Sequence, residues 1–188
     1  SAFIPTTPIP VLVPARNEAA NINSCIQSIL AQHYPQALLQ CIIIDDHSED
    51  DTAEMVKQIT DPRLNLVSLE DELFSGTTNA YKKKAIETGI SKATGDLIVT
   101  TDADCTAGPE WLRTIAYTYQ KKGAVLIAGP VKMKRQNGVL QLFQSLDFTS
   151  LQGITAASVY KGFHSMCNGA NLAYSKKAFH SVEGFKGI

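Results

Sequence analysis

Two carboxylates separated by one small residue close a run of strand-forming residues in "VTTDADC", Val99 to Cys105. Asp102 and Asp104 have no basic neighbour in sequence, and like charges this close repel unless something positive neutralises them. In an extended chain, residues two apart share a side, so one ion can take both. A hard divalent ion such as Mg²⁺ or Mn²⁺ accepts one or two carboxylates and fills its shell with water and phosphate oxygens. Taken alone, the motif also reads as an exposed turn in which Asp102 or Asp104 caps the helix that Pro109 starts.

Two other polar clusters invite the same double reading. "ARNE" (Ala15 to Glu18) and "DDHSEDD" (Asp45 to Asp51) each precede a helical pattern and can cap it. Asp45, however, lies within a strand's end, where burying a carboxylate without a partner is costly, and a nucleobase N–H is a donor that satisfies it. "KKK" (Lys82 to Lys84) opens a helix beside a polar loop. It reads as a solvated helix face or as a diphosphate site built from lysines and the helix dipole.

The elements that must hold these clusters follow from periodicity. "PIPVLVPA" and "QCIIIDD" are apolar runs of the kind a parallel sheet buries on both faces, with helical spacing of Ile22, Ile26, Ile29 and Leu30 between them. "HSEDDTAEMVKQI" predicts a second helix, with Glu54 three residues after the capping candidate Asp51. "RLNLVSL" is a third strand, "EDELFSGTTNA" (Glu70 to Ala80) a mobile loop, "YKKKAIETGISKATG" a helix ending near Gly95, and "DLIVTTDADC" a fourth strand. "PEWLRTIAYTYQKKG" starts with proline in its first turn and stops at Gly123, before a fifth strand in "AVLIAGPV". Beyond it, "GVLQLFQSLDFTSLQGITAASVY" is helical with Leu140, Phe143, Leu146 and Leu151 as apolar positions; a loop, a short strand around Asn171 to Tyr174 and a short helix follow.

Alternating strands and helices predict an α/β layered fold with a mainly parallel central sheet and right-handed crossovers. Ligands of such sheets bind outside the carboxyl ends of the strands. The three acidic clusters fall at those ends, so they are expected to meet on one edge.

Composition limits the alternatives. The 188 residues suit one domain, and 17 basic against 18 acidic side chains give no general attraction to nucleic acid or anionic lipid. The four cysteines and four histidines lack C-x-x-C and H-x-x-x-H spacing, so no zinc site is expected and the cysteines read as buried residues of a reducing compartment. No apolar run reaches the roughly 18 residues of a membrane-spanning helix.

"VLVPARNEAANINSCIQSIL", "IIIDDHSEDDT", "KKKAIETGISKATGDLIVTTDADC" and "CNGANLAYSKKAF" together resemble the family-2 glycosyltransferases with the GT-A fold, a Rossmann-like layered fold. The resemblance covers nearly the whole chain. It implies a single domain over residues 1–188, with residues 1–105 as the nucleotide-sugar-binding half and 106–188 as the start of the acceptor half. It implies that Pro14, Ala15, Arg16 and Glu18 cup the nucleoside and that Asp46 bonds the base. Lys82 matches the family's lysine, although Tyr81 stands where relatives carry glycine. Asp102, with Ala103 beside it, is implied to meet ribose or sugar, and Asp104 to hold a divalent cation (Mn²⁺ or Mg²⁺) on the donor diphosphate. Asn168, Gly169, Ala170 and Asn171 are implied to line the donor-sugar and acceptor floor.

The expected reaction is inverting transfer from a nucleotide-sugar donor, a UDP-sugar by default, to a sugar or lipid-linked acceptor in cell-envelope polysaccharide or glycolipid synthesis. Nucleic acid is not an expected partner. Relatives place the base in an acidic pair just after the "GF" element, a position Glu183 does not match, so the base is expected beyond Ile188 in a longer protein. Any membrane attachment is expected through segments outside this chain, with the domain cytoplasmic or on the inner membrane face. A nucleotidyltransferase and a non-catalytic nucleotide-sugar-binding domain are the competing readings. The absence of glycine from "VPARNEAAN" counts against the first and against a dehydrogenase; intact Asp46, Asp102 and Asp104 count against the second.

Overall fold

A computed structural model describes residues 3–69, 78–133, 138–163 and 168–186, with backbone alone at 78–80 and 159. Strands β1 (Ile9–Ala15), β2 (Leu39–Asp45), β3 (Leu64–Ser68), β4 (Leu97–Thr100), β5 (Leu126–Ala128) and β6 (Leu172–Ser175) form one sheet in the order β3-β2-β1-β4-β6-β5. Helices α1 (Ile22–Leu30), α2 (Thr52–Lys57), α3 (Thr78–Lys92), α4 (Trp111–Lys122), α5 (Val139–Tyr160) and α6 (Lys176–Ser181) complete it.

Alternation along the strands sorts the core into two layers. Val11 and Val13 of β1, Cys41 and Ile43 of β2 and Leu97 and Val99 of β4 pack with Ile22 and Ile26 of α1, Val56 of α2 and Leu112 of α4. Leu12, Ile42, Ile44 and Ile98 pack instead with Ala85 and Ile90 of α3. Burial on both faces is why these strands are continuous apolar runs rather than alternating ones.

Pairings β1–β2, β2–β3 and β1–β4 are parallel, whereas β6 runs antiparallel to β4 and β5. From β1 the chain moves outward to β2 and β3 on one side and to β4 on the other. The loops leaving β1 and β4 therefore diverge and open a crevice at the carboxyl edge. No described helix is long and apolar enough to cross a membrane.

Several boundaries differ from the sequence reading. The fifth strand is only Leu126–Ala128; the Gly129 N–H still bonds Asn171 O in the same register, and Pro130, which has no N–H, follows. The next strand starts at Leu172, after a 3₁₀ turn over Gly169–Asn171. Pro109 precedes its helix, which begins at Trp111; its carbonyl accepts from the His33 N–H. Of the expected loop, residues 70–77 lie outside the described residues and 78–80 already belong to α3. The expected helix α5 is present over Val139–Tyr160, with its apolar positions Leu140, Phe143, Leu146 and Leu151 exposed.

Between α2 and β3, Arg63 clasps Asp61 through Nε (3.0 Å) and Nη2 (2.7 Å) and donates Nη1 to Leu30 O at the end of α1 (3.0 Å). Hydrogen bonds from Arg63 hold the Asp61 carboxyl below its ordinary range. A depressed folded value adds stability above the unfolded aspartate pKa of about 3.9, and that stability is lost as pH falls through the folded value. Asp61→Asn is therefore expected to lower the melting temperature at pH 7, with the gap to the parent closing as pH falls below the unfolded value of about 3.9 and through the lower folded one. Melting curves of both chains across that range check it; a gap independent of pH counts against the pair.

Candidate functional site

The loops leaving β1 and β2 are laced together. The Asn17 N–H donates to Ser48 Oγ (3.0 Å), and Asn17 Oδ1 accepts from the Glu49 N–H (2.8 Å). The Glu18 N–H donates to Thr52 Oγ1 (2.8 Å) and the Ala19 N–H to Asp50 Oδ2 (3.0 Å). Thr52, fully buried, returns both its N–H (3.0 Å) and its hydroxyl to Asp50 Oδ1. These bonds, that from the Thr52 hydroxyl foremost, hold the Asp50 carboxyl below its ordinary range. The expected capping box on α2 is absent: Asp51 makes no capping bond, Asp50 takes the Thr52 N–H instead, and Glu54 pairs with Lys57 at 3.1 Å.

Asn17 (φ 55°) and His47 (φ 54°) are left-handed, a conformation that asparagine and histidine tolerate better than most residues. The Asp46 N–H donates to Ala15 O (2.8 Å), so both loops leave the sheet at one level. Pro14 is half-buried, Ala15 buried, and Arg16 exposed with Nη1 3.8 Å from Asp46 Oδ2. Asp46, 8% exposed, also meets His47 Nδ1 at 3.1 Å. Glu18 accepts from Asn21 Nδ2 at 2.9 Å. Asp45 is 6% exposed, and its Oδ1 is buried with no hydrogen-bond partner.

At the end of β4 the chain turns rather than staying extended, since the Cys105 N–H donates to Asp102 O (3.1 Å). The turn buries Ala103 and leaves Asp104 exposed, so the two carboxylates do not share an environment. Asp102 Oδ1 takes Lys82 Nζ from α3 at 2.6 Å. The basic partner missing from the local sequence thus arrives from twenty residues upstream. α4 starts at Trp111 with Glu110 in the capping position, so neither aspartate is its cap.

Cys25 of α1 lies beneath these groups and donates Sγ to Asp102 O at 3.7 Å. Its thiol is pushed up to about 12, first by burial, then by Cys105, Asp104, Asp102 and Glu18. Because α1 follows directly on the first loop, the contact of Cys25 with the Asp102 carbonyl brings the first and fourth loops together. Burial and Asp104 likewise raise Cys105, to about 11.

The Asn168 to Asn171 turn attaches to the same edge through Thr100 Oγ1, which donates to Gly169 O (2.9 Å). Asn168 Oδ1 accepts the Ala170 N–H at 3.0 Å. The Asn171 amide is already committed, accepting from Trp111 Nε1 (2.9 Å) and donating to Pro130 O (2.9 Å). Asn168 is exposed and Gly169 half-buried, while Ala170 is buried.

Among the described residues no three His, Cys, Asp or Glu side chains are grouped to hold an ion unaided. Asp104 nevertheless fits the requirement of Mg²⁺ or Mn²⁺ for an accessible hard oxygen, with substrate phosphate and water as the remaining ligands. A cleft of about 580 Å³ at the opposite, amino-terminal sheet edge is lined by Gln40, Asp61, Arg63, Asn65 and Thr94 among others. Its polar groups bond one another, Gln40 to Thr94 and Asn65, Arg63 to Asp61, so the carboxyl edge is the better candidate.

Sequence reasoning missed Asp50, Thr52 and Asn17 as the lacing of the first two loops. The D-x-T spacing of Asp50 and Thr52 and the tolerance of asparagine for the left-handed region were available signals.

Parallel strands carrying acids on converging loops, with a reversed strand beside β4, define a GT-A glycosyltransferase fold. Solved structures share it: a mannosyltransferase of Pyrobaculum calidifontis in complex with GDP-Man and Mn²⁺ (TM-score 0.69, 24% identity, 97% of this chain and 48% of that one). S. aureus TarS 1-349 in complex with UDP-GlcNAc is another (TM-score 0.66, 18% identity, 93% and 47%). The chain belongs to glycosyl transferase family 2, whose model matches residues 11–182. Glycosyltransferase AglE of Haloferax volcanii is 29% identical over 144 residues, 77% of this chain and 46% of the relative. The chain spans about half the length of these relatives.

Proposed function

We propose that the chain forms the donor- and metal-binding part of an inverting glycosyltransferase. It moves a sugar from a nucleotide diphosphate sugar, preferably a UDP-sugar, to a hydroxyl of a sugar or lipid-linked acceptor. The product is cell-envelope polysaccharide or glycolipid, and the site works on the cytoplasmic side. The observation that carries this reading is the Lys82–Asp102 pair, which sets a cation on a carboxylate at the edge where the loops meet, two residues from the exposed Asp104.

Residues Pro14 to Glu18 cup the nucleoside, on a loop held by Asp50 and Thr52. Asp46 accepts from the base N–H, and Arg16 beside it screens its charge. A diphosphate carries more negative charge than one carboxylate, so it draws Lys82 away from Asp102. Asp102 is then free to accept from a ribose or sugar hydroxyl. Asp104 is the protein ligand for a divalent cation, which when bound supplies Lewis-acid stabilisation of the leaving diphosphate. The exposed Asn168 and the Gly169 backbone border the sugar and acceptor space. Single displacement at the anomeric carbon inverts its configuration, and the acceptor proton passes to a base outside the residues assigned here.

A thermal-shift panel of nucleoside diphosphates and their sugars, with and without Mn²⁺, tests the reading. A ligand at a hundredfold excess over its Kd stabilises by about 2.7 kcal/mol. The largest shift is expected with a uridine ligand plus Mn²⁺; if no nucleotide gives a metal-dependent shift, the reading fails.

A further inference from the structure

α5 turns most of its large apolar residues outward, against the pattern of a surface helix. Its half-buried side carries Gln141, Ser145, Gln152, Thr155 and Ser158 with a single large apolar residue, Phe148, and Gln152 accepts the Val131 N–H (2.7 Å) while donating to Val131 O (2.6 Å). Its outer side holds eight large apolar residues that are 54% to 87% exposed. Asp147 is the only charged residue of its 22. Each exposed side chain offers on the order of 100 Å², so the face approaches the roughly 800 Å² that each partner contributes to a stable complex. That exceeds the roughly 300–600 Å² of the largest patch on a typical monomer.

The outer face also has an internal order. Val139, Phe143, Leu146, Ser150, Gly153 and Ala157 recur at alternating steps of four and three, the spacing of a two-helix seam. The first three are bulky and the last three small. All six are exposed, and nothing lies within 4 Å of where a Gly153 Cβ would stand. The Ser150 hydroxyl is satisfied within the helix by Leu146 O (2.8 Å), so covering it strands no polar group.

We propose that α5 is the seam of a two-fold symmetric, antiparallel dimer of this chain. The arrangement sets Leu146 against Ser150 of the second copy, Phe143 against Gly153 and Val139 against Ala157, a large residue facing a small one at every level. A parallel pair sets Phe143 against Phe143 and Gly153 against Gly153, crowding one end and leaving the other hollow. The side of the helix turned from this face carries glutamine, serine and threonine with Phe148, and none of the lysines and arginines of a helix that lies on anionic lipid. A second copy, which supplies both bulky and small halves, is the occupant that fits.

Sedimentation of the chain from about 1 to about 100 μM, together with cysteine cross-linking, tests this. A concentration-dependent dimer is expected, with Leu146→Glu, a residue already exposed, raising its Kd at least tenfold. Val139→Cys and Ala157→Cys in one chain lie too far apart to join within it, so oxidation is expected to give covalent dimers. Either substitution alone is expected to give no more cross-linking than the unaltered chain. A monomer throughout the range, equal cross-linking by a single-cysteine chain, or a monomer that co-sediments with phosphatidylglycerol vesicles overturns the proposal.

Discussion

Asp104→Ala is expected to weaken Mn²⁺-dependent binding of a nucleoside diphosphate by ten- to a hundredfold, about 1.4–2.7 kcal/mol, while leaving the melting temperature of the free protein almost unchanged. The two halves of that expectation have separate causes. Asp104 is exposed and its only described partner is the weak Cys105 thiol donor at 3.5 Å, so its removal strands nothing and opens no cavity. The same exposure makes it the accessible carboxylate of the pair, since Asp102 is held by Lys82. Asp102→Asn is the contrast: it frees Lys82 and is expected to change nucleotide binding with or without metal. Titrating UDP into parent, Asp104→Ala and Asp102→Asn chains at fixed Mn²⁺ and in chelator separates the roles. A metal-dependent gain that survives in Asp104→Ala rules out the assignment.

Leu12→Ala is expected to cost about 3–5 kcal/mol, the range for emptying a fully buried leucine site. Leu12 is wholly enclosed on the central strand β1, and its partner across the layer is a bare backbone. A Cβ added at Gly89 of α3 would stand 3.1 Å from Leu12 Cδ1 and 3.0 Å from Ile44 Cδ1. Glycine there lets α3 approach the sheet at a helix-propensity cost of about 1 kcal/mol relative to alanine. Gly89→Ala alone is therefore expected to be neutral or destabilising, because crowding cancels the propensity gain. In the Leu12→Ala background the new methyl group enters the vacated space, so the same substitution is expected to stabilise by about 1 kcal/mol. Urea denaturation of the four chains measures the coupling, and simple additivity defeats this account.

Much of the frame was legible before any coordinates. The "CIIID" run reads as a strand buried on both sides, and the shared direction of β1, β2 and β4 brings their carboxyl ends, with Arg16, Asp46 and Asp102, to one edge. The reversal of β6 was not legible. Strand direction depends on where the preceding helix delivers the chain, and "LAYS" has no local mark of it. The Lys82–Asp102 pair was hidden because it depends on where α3 lies across the sheet, a tertiary quantity. One ion on both Asp102 and Asp104 requires an extended chain there, and the turn closed by the Cys105 N–H on Asp102 O sets them in different surroundings. In α5 the 3.6-residue rhythm correctly predicts a helix, but rhythm cannot say which side faces the domain.

The lacing of the first two loops has a consequence for how the molecule is born. Every residue of that lacing, and every residue of β1, β2 and β3, precedes Leu69. A ribosome adding roughly 5–20 residues per second completes this part some seconds before Asp104 is made. Through that interval the side of β1 that will receive β4 is bare, a row of unclaimed amides and carbonyls beside Val11 and Leu12. The laced pair of loops can set first on the emerging chain, and β4, with the turn that holds Asp102 and Asp104, then closes an edge open to mispairing with a neighbouring nascent chain.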